Sequence, residues 1–598
     1  MEKAKKNNSR PLVIIILAVL AINFIGAYFF KRLDLTQDKR YTLSQTSLNL
    51  VQSVQEPLYI EIFLDGEFPG EFKKLQDETR QFLEEYTAYN PQIRFSFFNP
   101  MDESEGADEE KRNLIYTIFK LDSRVDPSEE GEIKNSIAGI TDLDKAVFDS
   151  FIGAGMKPAS VNMVDKGKQS ETLIFPWAIA TYKGRSVKIP LLKNSLGAST
   201  SEKVESSVQQ LEYVFADALN KLINEKQKKI AVLQGNGEIA GGYMADFLRK
   251  LQENYFTAPF TLDSVAANPI ATLKQLKEYD LAIIAKPTQK FTEEEKEVLD
   301  QYIINGGKTL WLIDAVQVEM DSLYNQTGST YALPRDLNLN DMFFKYGFRV
   351  EPDIIKDELA TPIKLATGAQ GSQTQYQEYM WKYAPFIYPN SEHPIVKNMG
   401  GIKFEFANPI DTLKNDIAKT VLLTSSQYSR KVGTPTVVNL SMVAEQVNPA
   451  DYQGEGYMAV SVLLEGKFHS MYENRVLPFK DKSYQTIGKD SKMIVVSDGD
   501  VIKNQFDKNN QALELGYDKW TGHLYENKEF LLNSVNYLLD DNGLIYIRSK
   551  DVHLPMLDTQ KVYDNYTQSK VITVGLPLLI LLVFGLLFTF LRKRAYSK

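Results

Sequence analysis

The chain has 598 residues, 43% of them hydrophobic and 24% charged, which is enough ordinary globular material for several domains and excludes a disordered tail. It contains no cysteine, which excludes disulfides, thiolate metal sites and cysteine nucleophiles. Its net charge of −9 argues against nucleic acid as a partner, because nucleic-acid binding needs a basic surface.

Two apolar stretches near the ends predict membrane spans. Residues 11–30 and residues 571–591 contain no charged side chain, and each is long enough to cross a hydrocarbon core of about 30 Å as a helix. The first stretch lacks the small residues of a signal-peptide cleavage site, which favours an uncleaved anchor. Small and amide residues that suit packing against other membrane helices are Asn23, Gly26, Gly575 and Gly585.

Basic residues give the orientation. Lysine and arginine occur in residues 1–10 and again in residues 592–598. Four basic residues also follow the first stretch, within residues 31–40, so the orientation depends mainly on the C-terminal cluster. The positive-inside rule therefore places both termini in the cytoplasm. Residues 31–570 are then on the outer side, in the periplasm if the membrane is a bacterial inner membrane.

Residues 31–198 predict a small α/β domain. A strand over residues 58–64, a helix over 72–89 and a strand over 93–98 make a β-α-β unit of the thioredoxin-like type, without the CxxC of redox enzymes. The charged residues 101–139 indicate a solvated loop, since their spacing does not fit a calcium loop. Alternating segments up to residue 191 predict antiparallel strands. A linking helix follows over residues 199–225, with Ser199 and Glu202 as a capping box.

Residues 226–550 predict a second, larger α/β domain. Apolar strands over 229–234, 280–286 and 308–314 alternate with helices, one of which begins at the capping box Thr292–Glu295. This pattern predicts a doubly wound parallel sheet of the Rossmann or glutaminase-like type. A strand over 491–500 and a helix over 529–539 are expected to rejoin it.

An insertion at about residues 321–480 is expected to close over that sheet. Within it, residues 321–334 predict a loop, residues 360–377 a flexible segment rich in Gly, Thr and Gln, and residues 456–466 an edge strand. Residues 551–570 form a juxtamembrane linker.

Polar residues follow the predicted parallel strands. Ligands bind at the carboxyl ends of the strands in open α/β sheets, which here present Gln234, Asn236, Glu238, Asp314, Asp498 and Asp500. These carboxylates could bind a cation or act as acid and base, although Asp at a strand end also commonly caps the next helix. The loop Gly235–Gly237 matches half of a dinucleotide fingerprint and equally fits a glycine turn.

The usual catalytic patterns are absent from the sequence. There is no Walker A, GxSxG, HExxH or SxxK motif, and the four histidines are isolated from one another. We therefore expect no cofactor, no metal and no enzymatic activity. A hydrolase using Asp314, Asp498 and Asp500 is the least favoured alternative.

Several segments resemble a known family. They are Val495–Asp500, Glu526–Leu538, Leu544–Lys550, the final span ending at Leu591–Arg594, Arg40–Ser44, Gly456–Val460 and Leu464–Phe468. Together they resemble the GldG family of gliding-motility-associated ABC transporter auxiliary (putative substrate-binding) proteins of Bacteroidetes-type bacteria.

The resemblance implies a function in a membrane complex. Such a protein works with an ABC permease subunit and a cytoplasmic ATPase subunit, is needed for surface gliding and has no known catalytic residues. The leading interpretation is a non-enzymatic subunit whose two helices pack with the permease and whose periplasmic body contacts ligand or cell-envelope partners. The alternative is a tethered periplasmic receptor that binds a small molecule or glycan in the α/β cleft.

Overall fold

A computed structural model describes residues 14–19, 34, 36, 39–66, 68–102, 104, 106–122, 130–165, 168–224, 226–370, 373–452, 454–550 and 559–596. These divide into two compact units, one up to position 551 and one from position 552 onward. Residues 14–19 are helical. The rest of the first predicted span, including Asn23 and Gly26, lies outside the described residues.

The N-terminal part contains a four-stranded sheet. Its elements are α1 (Gln45–Ser53), β1 (Leu58–Ile62), α2 (Gly70–Tyr89), β2 (Ile93–Phe97), α3 (Ala107–Asp122), α4 (Glu130–Ala138), α5 (Leu143–Gly153), β3 (Ala159–Asp165), β4 (Lys168–Ile174), β5 (Trp177–Tyr182) and β6 (Arg185–Pro190). The order is β2-β1-β5-β6, with β1 and β2 parallel and the other neighbours antiparallel. Strands β3 and β4 form a separate hairpin.

The loop predicted over residues 101–139 is wrong, because α3 and α4 lie there. Leu114, Ile115 and Ile118 recur at helical spacing and are buried against the sheet. The acidic residues Asp108, Glu109 and Glu110 at the start of α3 are exposed, so the charged composition of the segment obscured its amphipathic period. The capping box of the linking helix α6 (Thr200–Ile223) is confirmed.

A seven-stranded sheet forms the centre of the larger part. Its strands and helices are β7 (Lys229–Gln234), α7 (Ala245–Gln252), β8 (Phe256–Thr261), α8 (Pro269–Leu276), β9 (Leu281–Ala285), α9 (Glu293–Ile304), β10 (Lys308–Leu312), β19 (Ala418–Thr424), β22 (Ala459–His469), β23 (Ile487–Val496) and α11 (Asn527–Leu539). The order is β19-β22-β23-β10-β9-β7-β8. Helices α7 and α11 cover one face and α8 and α9 the other, so the strands are buried on both sides.

The predicted return of the chain to this sheet is confirmed, since Leu310 in β10 pairs in parallel with Ile494 in β23. The capping box Thr292–Glu295 is also confirmed. The predicted edge strand over 456–466 is wrong, because β22 lies between β19 and β23 with antiparallel partners on both sides. Both β19 and β22 come from the region predicted as an insertion, yet they extend the sheet itself.

The rest of that region forms small sheets above the main one. Its elements are β11 (Val316–Gln317), β12 (Ser329–Pro334), α10 (Asn340–Tyr346), β13 (Phe348–Val350), β14 (Asp353–Asp357), β15 (Ala360–Gln370), β16 (Gln373–Ile387), β17 (Ile402–Lys403), β18 (Ile410–Thr412), β20 (Ser429–Gly433) and β21 (Thr436–Asn439). The predictions of a loop over 321–334 and of a flexible segment over 360–377 are wrong, because β12 and the hairpin β15–β16 lie there. Ile363, Trp381 and Tyr383 are buried in one cluster of that hairpin. The exposed positions of the hairpin include Thr367, Gly368, Thr374, Gln375 and Gln377.

The C-terminal unit is helical. It contains α12 (Thr559–Asp564), α13 (Tyr566–Lys570) and α14 (Leu576–Tyr596), with a π-helical turn at Val571–Gly575. Residues Tyr566–Arg594 form one helix of 29 residues, which among the described residues is the one long and apolar enough to cross a membrane. The predicted span over 571–591 lies within it.

Candidate functional site

A charged cluster lies where three neighbouring parallel strands end. Lys286 follows β9, Asp314 follows β10, and Asp498 and Asp500 follow β23. These strands are adjacent and parallel, so their carboxyl ends meet at one edge of the sheet. The structure thus brings together three of the six predicted site residues, around a lysine that was not among them.

Lys286 is the centre of this cluster. Its Nζ lies 2.6 Å from Asp500 Oδ1, 2.9 Å from Glu319 Oε2 and 3.6 Å from Asp314 Oδ2. The lysine, Asp314 and Asp500 are almost fully buried. Three carboxylates against one ammonium leave the cluster negative, and Lys503 adds a second positive charge 3.7 Å from Asp500.

Two of the carboxylates also fix the backbone of the loop after β23. Asp314 Oδ1 accepts a hydrogen bond from the Gly499 amide at 2.5 Å. Asp498 is fully buried and accepts from the amides of Glu405 at 2.6 Å and Asp500 at 2.7 Å. A Cβ on Gly499 would lie 2.5 Å from Lys286 Cγ, so this loop must carry glycine for the lysine to fit. Both oxygens of Asp498 therefore accept backbone amides, and the side chain fixes the conformation of the loop.

Burial and charge shift the pKa values of the cluster. Burial opposes the charge of Lys286, but the carboxylates of Asp500, Asp314 and Glu319 outweigh it and raise the pKa of Lys286. Burial raises the pKa of Asp314, against the favourable effect of Lys286. Burial and then the neighbouring Asp500 raise the pKa of Asp498 well above its ordinary value. Lys286 is therefore the fixed charge, and the carboxyl groups of Asp314 and Asp498 are the ones that take up protons more readily than an ordinary aspartate.

The same carboxylates have the spacing of a cation site. Ligand oxygens of Asp314, Glu319 and Asp500 all lie within 4.8 Å of one another, and such hard oxygens suit Mg²⁺ or Ca²⁺. The Lys286 ammonium, however, lies among them at contact distances. The ammonium neutralises the carboxylates as a bound cation would, and it occupies the space between them. These residues therefore do not fit a metal ion while the lysine is in place.

The other three predicted residues lie at the end of β7 and in the loop that follows it. Asn236 is buried, donates from Nδ2 to Glu295 Oε2 at 3.0 Å, and its backbone carbonyl accepts from the amides of Thr288 and Gln289. The Glu238 carboxylate accepts from the Asn236 amide at 2.7 Å, and Gln234 is exposed. The strand order reverses between β7 and β9, and open α/β sheets usually bind ligands at such a point. Here the loop after β7 packs against the loop after β9. The structure therefore separates these three residues from the lysine cluster.

A cleft of about 890 Å³ lies beside the lysine cluster, which reaches it through Asp500. This volume is within the range of small-molecule sites, roughly 300–1,000 Å³. Its walls come from β15, β16 and the loops at residues 320–324, 403–405, 503–506 and 516–520. Aromatic side chains are prominent in them: Tyr243, Tyr324, Tyr376, Trp381, Phe506, Tyr517 and Trp520. We call this volume the aromatic cleft.

Sequence reasoning missed Lys286, Glu319 and the aromatic walls. Lys286 could have been found, because it directly follows the apolar strand that ends at Ala285 and so lies at the same sheet edge as Asp314. Glu319 and the aromatic residues lie in irregular loops or in the hairpin, where no periodic pattern marks their positions.

Comparison with known proteins identifies the family. Residues 227–534, more than half of the chain, match an auxiliary-protein family described as an ABC-type uncharacterized transport system. The chain belongs to this family. Residues 37–181 match a domain of unknown function. The family is therefore an auxiliary one of ABC-type transport, which confirms the broader part of the predicted resemblance, and the long apolar helix indicates association with a membrane.

Two further similarities give no function. An uncharacterized protein of Borreliella burgdorferi is 21% identical over 577 residues, covering 95% of each chain. A solved structure titled mmIFT52 N-terminal domain aligns at 15% identity over 55% of this chain and 100% of that chain, with a TM-score of 0.31. A structural similarity of that size is too weak to inform the function of this chain.

Proposed function

We propose that this protein is a non-enzymatic auxiliary subunit of an ABC transporter, anchored in the membrane by two helices, over residues 11–30 and 571–591, which pack with the permease. The observation that carries the proposal is the C-terminal helix, apolar and exposed along its length, in a chain of an ABC-type transport family. Gly585 and Thr589 lie one turn apart on it and form the small-residue patch that membrane helices use for close packing. A cytoplasmic ATPase subunit and the permease complete the complex.

Residues 31–570 would then be the periplasmic body. The resemblance of its segments to gliding-motility auxiliary proteins supports a part in gliding, with cell-envelope partners on the outer side. The predicted orientation, with both termini in the cytoplasm, rests on the basic residues at the two ends.

Contacts inside the body suit a tethered element. Glu212 on α6 accepts hydrogen bonds from the Ser44 amide at 2.6 Å and the Lys550 ammonium at 2.8 Å. Lys550 also donates to the carbonyls of Arg40 and Thr42. The first and last segments of the body thus meet on the linking helix. A pull along either segment is transmitted to α6, as a transmission element requires.

A pull-down from native membranes in mild detergent tests the subunit function. We expect a permease and an ATPase to co-purify with the full-length protein, and to be lost when residues 571–591 are replaced by a poly-Leu helix of equal length. A Trp520→Ala variant, altered only in the aromatic cleft, should keep both partners. Purification of the native chain without a permease would contradict the proposal.

The second candidate function is a tethered receptor, and the aromatic cleft favours it. Exposed rings around a volume of about 890 Å³, with a few charged groups at its floor, are the usual makeup of a binding site. A saturable rise in melting temperature with ligand, lost in Trp520→Ala, tests this. The hydrolase alternative is less favoured, because the Asp498 carboxylate accepts hydrogen bonds from backbone amides and the Asp500 carboxylate is paired with Lys286.

A further inference from the structure

Strand β15 offers an unused edge to the aromatic cleft. It pairs with β16 on one side only and is the outer strand of the sheet β15-β16-β17. Within the part of the chain that the structure describes, no strand pairs with its other side. An unpaired edge presents a row of backbone N–H and C=O groups that can accept another extended chain.

That edge faces into the cleft. Four consecutive residues of β15 line it, Ile363, Lys364, Leu365 and Ala366. Successive side chains of a strand point to opposite faces, so a cavity that meets four in a row reaches both faces of β15 and passes around its unpaired edge. Tyr376, Trp381 and Ala384 of β16 also line the cleft. The bordering length is roughly 13 Å, enough for about four paired residues.

The facing wall carries aromatic rings. Trp520 is 61% exposed and lines the cleft from the loop opposite β15, and Lys364 Nζ reaches across to the Trp520 carbonyl at 3.4 Å. Tyr376 on β16 is similarly exposed. Such rings provide apolar contacts for the alternate side chains of a strand laid along β15.

The charged side chains that line the cleft balance one another, which suits an uncharged ligand such as a peptide backbone. Its described lining holds four lysines and four carboxylates. Lys403 pairs with Glu405 at 2.9 Å and with Asp518 at 3.0 Å, and Lys503 lies 3.7 Å from Asp500. A lining that neutralises itself does not select a phosphate or a polyanion. The backbone of a peptide ligand is neutral, and its N–H and C=O groups can form hydrogen bonds with the edge of β15.

We infer that the aromatic cleft binds an extended peptide segment of a partner protein, which adds as a strand to the free edge of β15. This mode of recognition takes affinity from main-chain hydrogen bonds and specificity from pockets for alternate side chains. The inference rests on the receptor function proposed above and specifies its ligand as a peptide, where a small molecule or glycan was the alternative.

Phage-displayed random peptides, panned against the full-length protein in detergent, test the inference. We expect enriched peptides whose affinity falls at least about tenfold in Trp520→Ala, as when an aromatic anchor is truncated. Tyr388→Ala is the matched control, because Tyr388 is also 61% exposed but does not line the cleft. N-methylation of an enriched peptide, one residue at a time, should abolish binding at every second residue.

Three outcomes would overturn the inference. They are no enrichment above the Trp520→Ala background, an enriched peptide whose binding does not alternate with the N-methylated position, and binding of chitin oligosaccharides in place of peptides. In the last case the loss of oligosaccharide binding in Trp520→Ala would leave the receptor function standing with a glycan ligand. If neither probe binds, the peptide inference fails, and the melting-temperature test with small molecules decides the receptor function. Co-purification of the permease reports separately on the subunit function.

Discussion

Lys286 and Asp500 form an ion pair of 2.6 Å although they follow two different strands of the central sheet. Asp314 and Glu319 share the same ammonium, so one lysine neutralises part of a carboxylate cluster beside the aromatic cleft. This arrangement explains how the edge of the sheet holds converging acids without a cation. It also ties the loop after β23, which borders the cleft, to the loop after β9.

Removal of this lysine should both destabilise the protein and create a cation site. Lys286→Ala leaves buried carboxylates unpaired, and breaking such a pair costs about 3–5 kcal/mol. The three carboxylates, within 4.8 Å of one another, would then be free to bind Ca²⁺. We expect millimolar Ca²⁺ to raise the melting temperature of the variant and to leave that of the native protein unchanged.

Lys290→Ala is the control for that experiment. Lys290 pairs with Asp336 at 2.5 Å, but both side chains are more than half exposed, so its loss should cost less than about 1 kcal/mol. Equal stability of Lys286→Ala and Lys290→Ala, with no response to Ca²⁺ in either, would contradict the function assigned to Lys286.

The stability of the protein should depend on pH through Glu297. Burial raises the pKa of this α9 carboxyl from 4.5 to about 7. Between these values the folded protein keeps a proton that the unfolded chain has lost, so the stabilising effect of that proton disappears as pH rises from 4.5 through about 7. Glu297→Gln stays neutral and should gain roughly 2–3 kcal/mol relative to the native protein between pH 5 and pH 8.

Urea unfolding at several pH values measures that difference. The exposed Glu278 provides the control, since Glu278→Gln should follow the native pH dependence. A difference between Glu297→Gln and the native protein that stays constant from pH 5 to pH 8 would disprove the assignment.

The packing of the loops after β7 and β9 depends on Gly237. It has a positive φ of 71°, and a Cβ there would lie 2.1 Å from Thr288 Oγ1. Gly237→Ala should therefore cost about 2 kcal/mol or more in unfolding free energy. Gly241→Ala is the control, because a Cβ at Gly241 meets no atom within 4 Å and should change stability by less than about 1 kcal/mol. Equal effects of the two substitutions would show that the loops do not close as described.

The contacts of Glu212 should protect the first helix of the body. In Glu212→Ala the Ser44 amide and the Ser47 hydroxyl, which donates at 2.8 Å, lose a charged acceptor. We expect amide hydrogen exchange in residues 44–51 to accelerate about tenfold or more. Glu212→Gln keeps an acceptor oxygen, so its exchange rate should lie between those of the native protein and Glu212→Ala. Unchanged exchange in Glu212→Ala would contradict this account.

Regular elements were predictable from the sequence where burial follows a simple period. Strands β7, β9 and β10 and the last residues of β23 are buried and therefore appear as continuous apolar runs. The ends of β10 and β23 located Asp314 and Asp500 at one sheet edge. The hairpin β15–β16 was missed, because its buried Ile363 and Trp381 alternate with polar residues and the segment has the average composition of a loop.

The separation of the site residues was not predictable in the same way. Asn236 and Asp314 both follow parallel strands, yet Asn236 is turned into the contact with Thr288 and Glu295, a tertiary contact that strand periodicity does not encode. The aromatic cleft depends on loops from four distant segments of the chain, brought together by the fold.

Photo-crosslinking along the C-terminal helix tests the central claim most directly. A photoreactive amino acid is placed in turn at each position from Leu576 to Leu591, and the full-length protein is irradiated in its native membrane. We predict adducts to an ABC permease that recur with a helical period and centre on the face of Gly585 and Thr589. Absence of a permease adduct at every position, with crosslinks to lipid alone, would contradict the account.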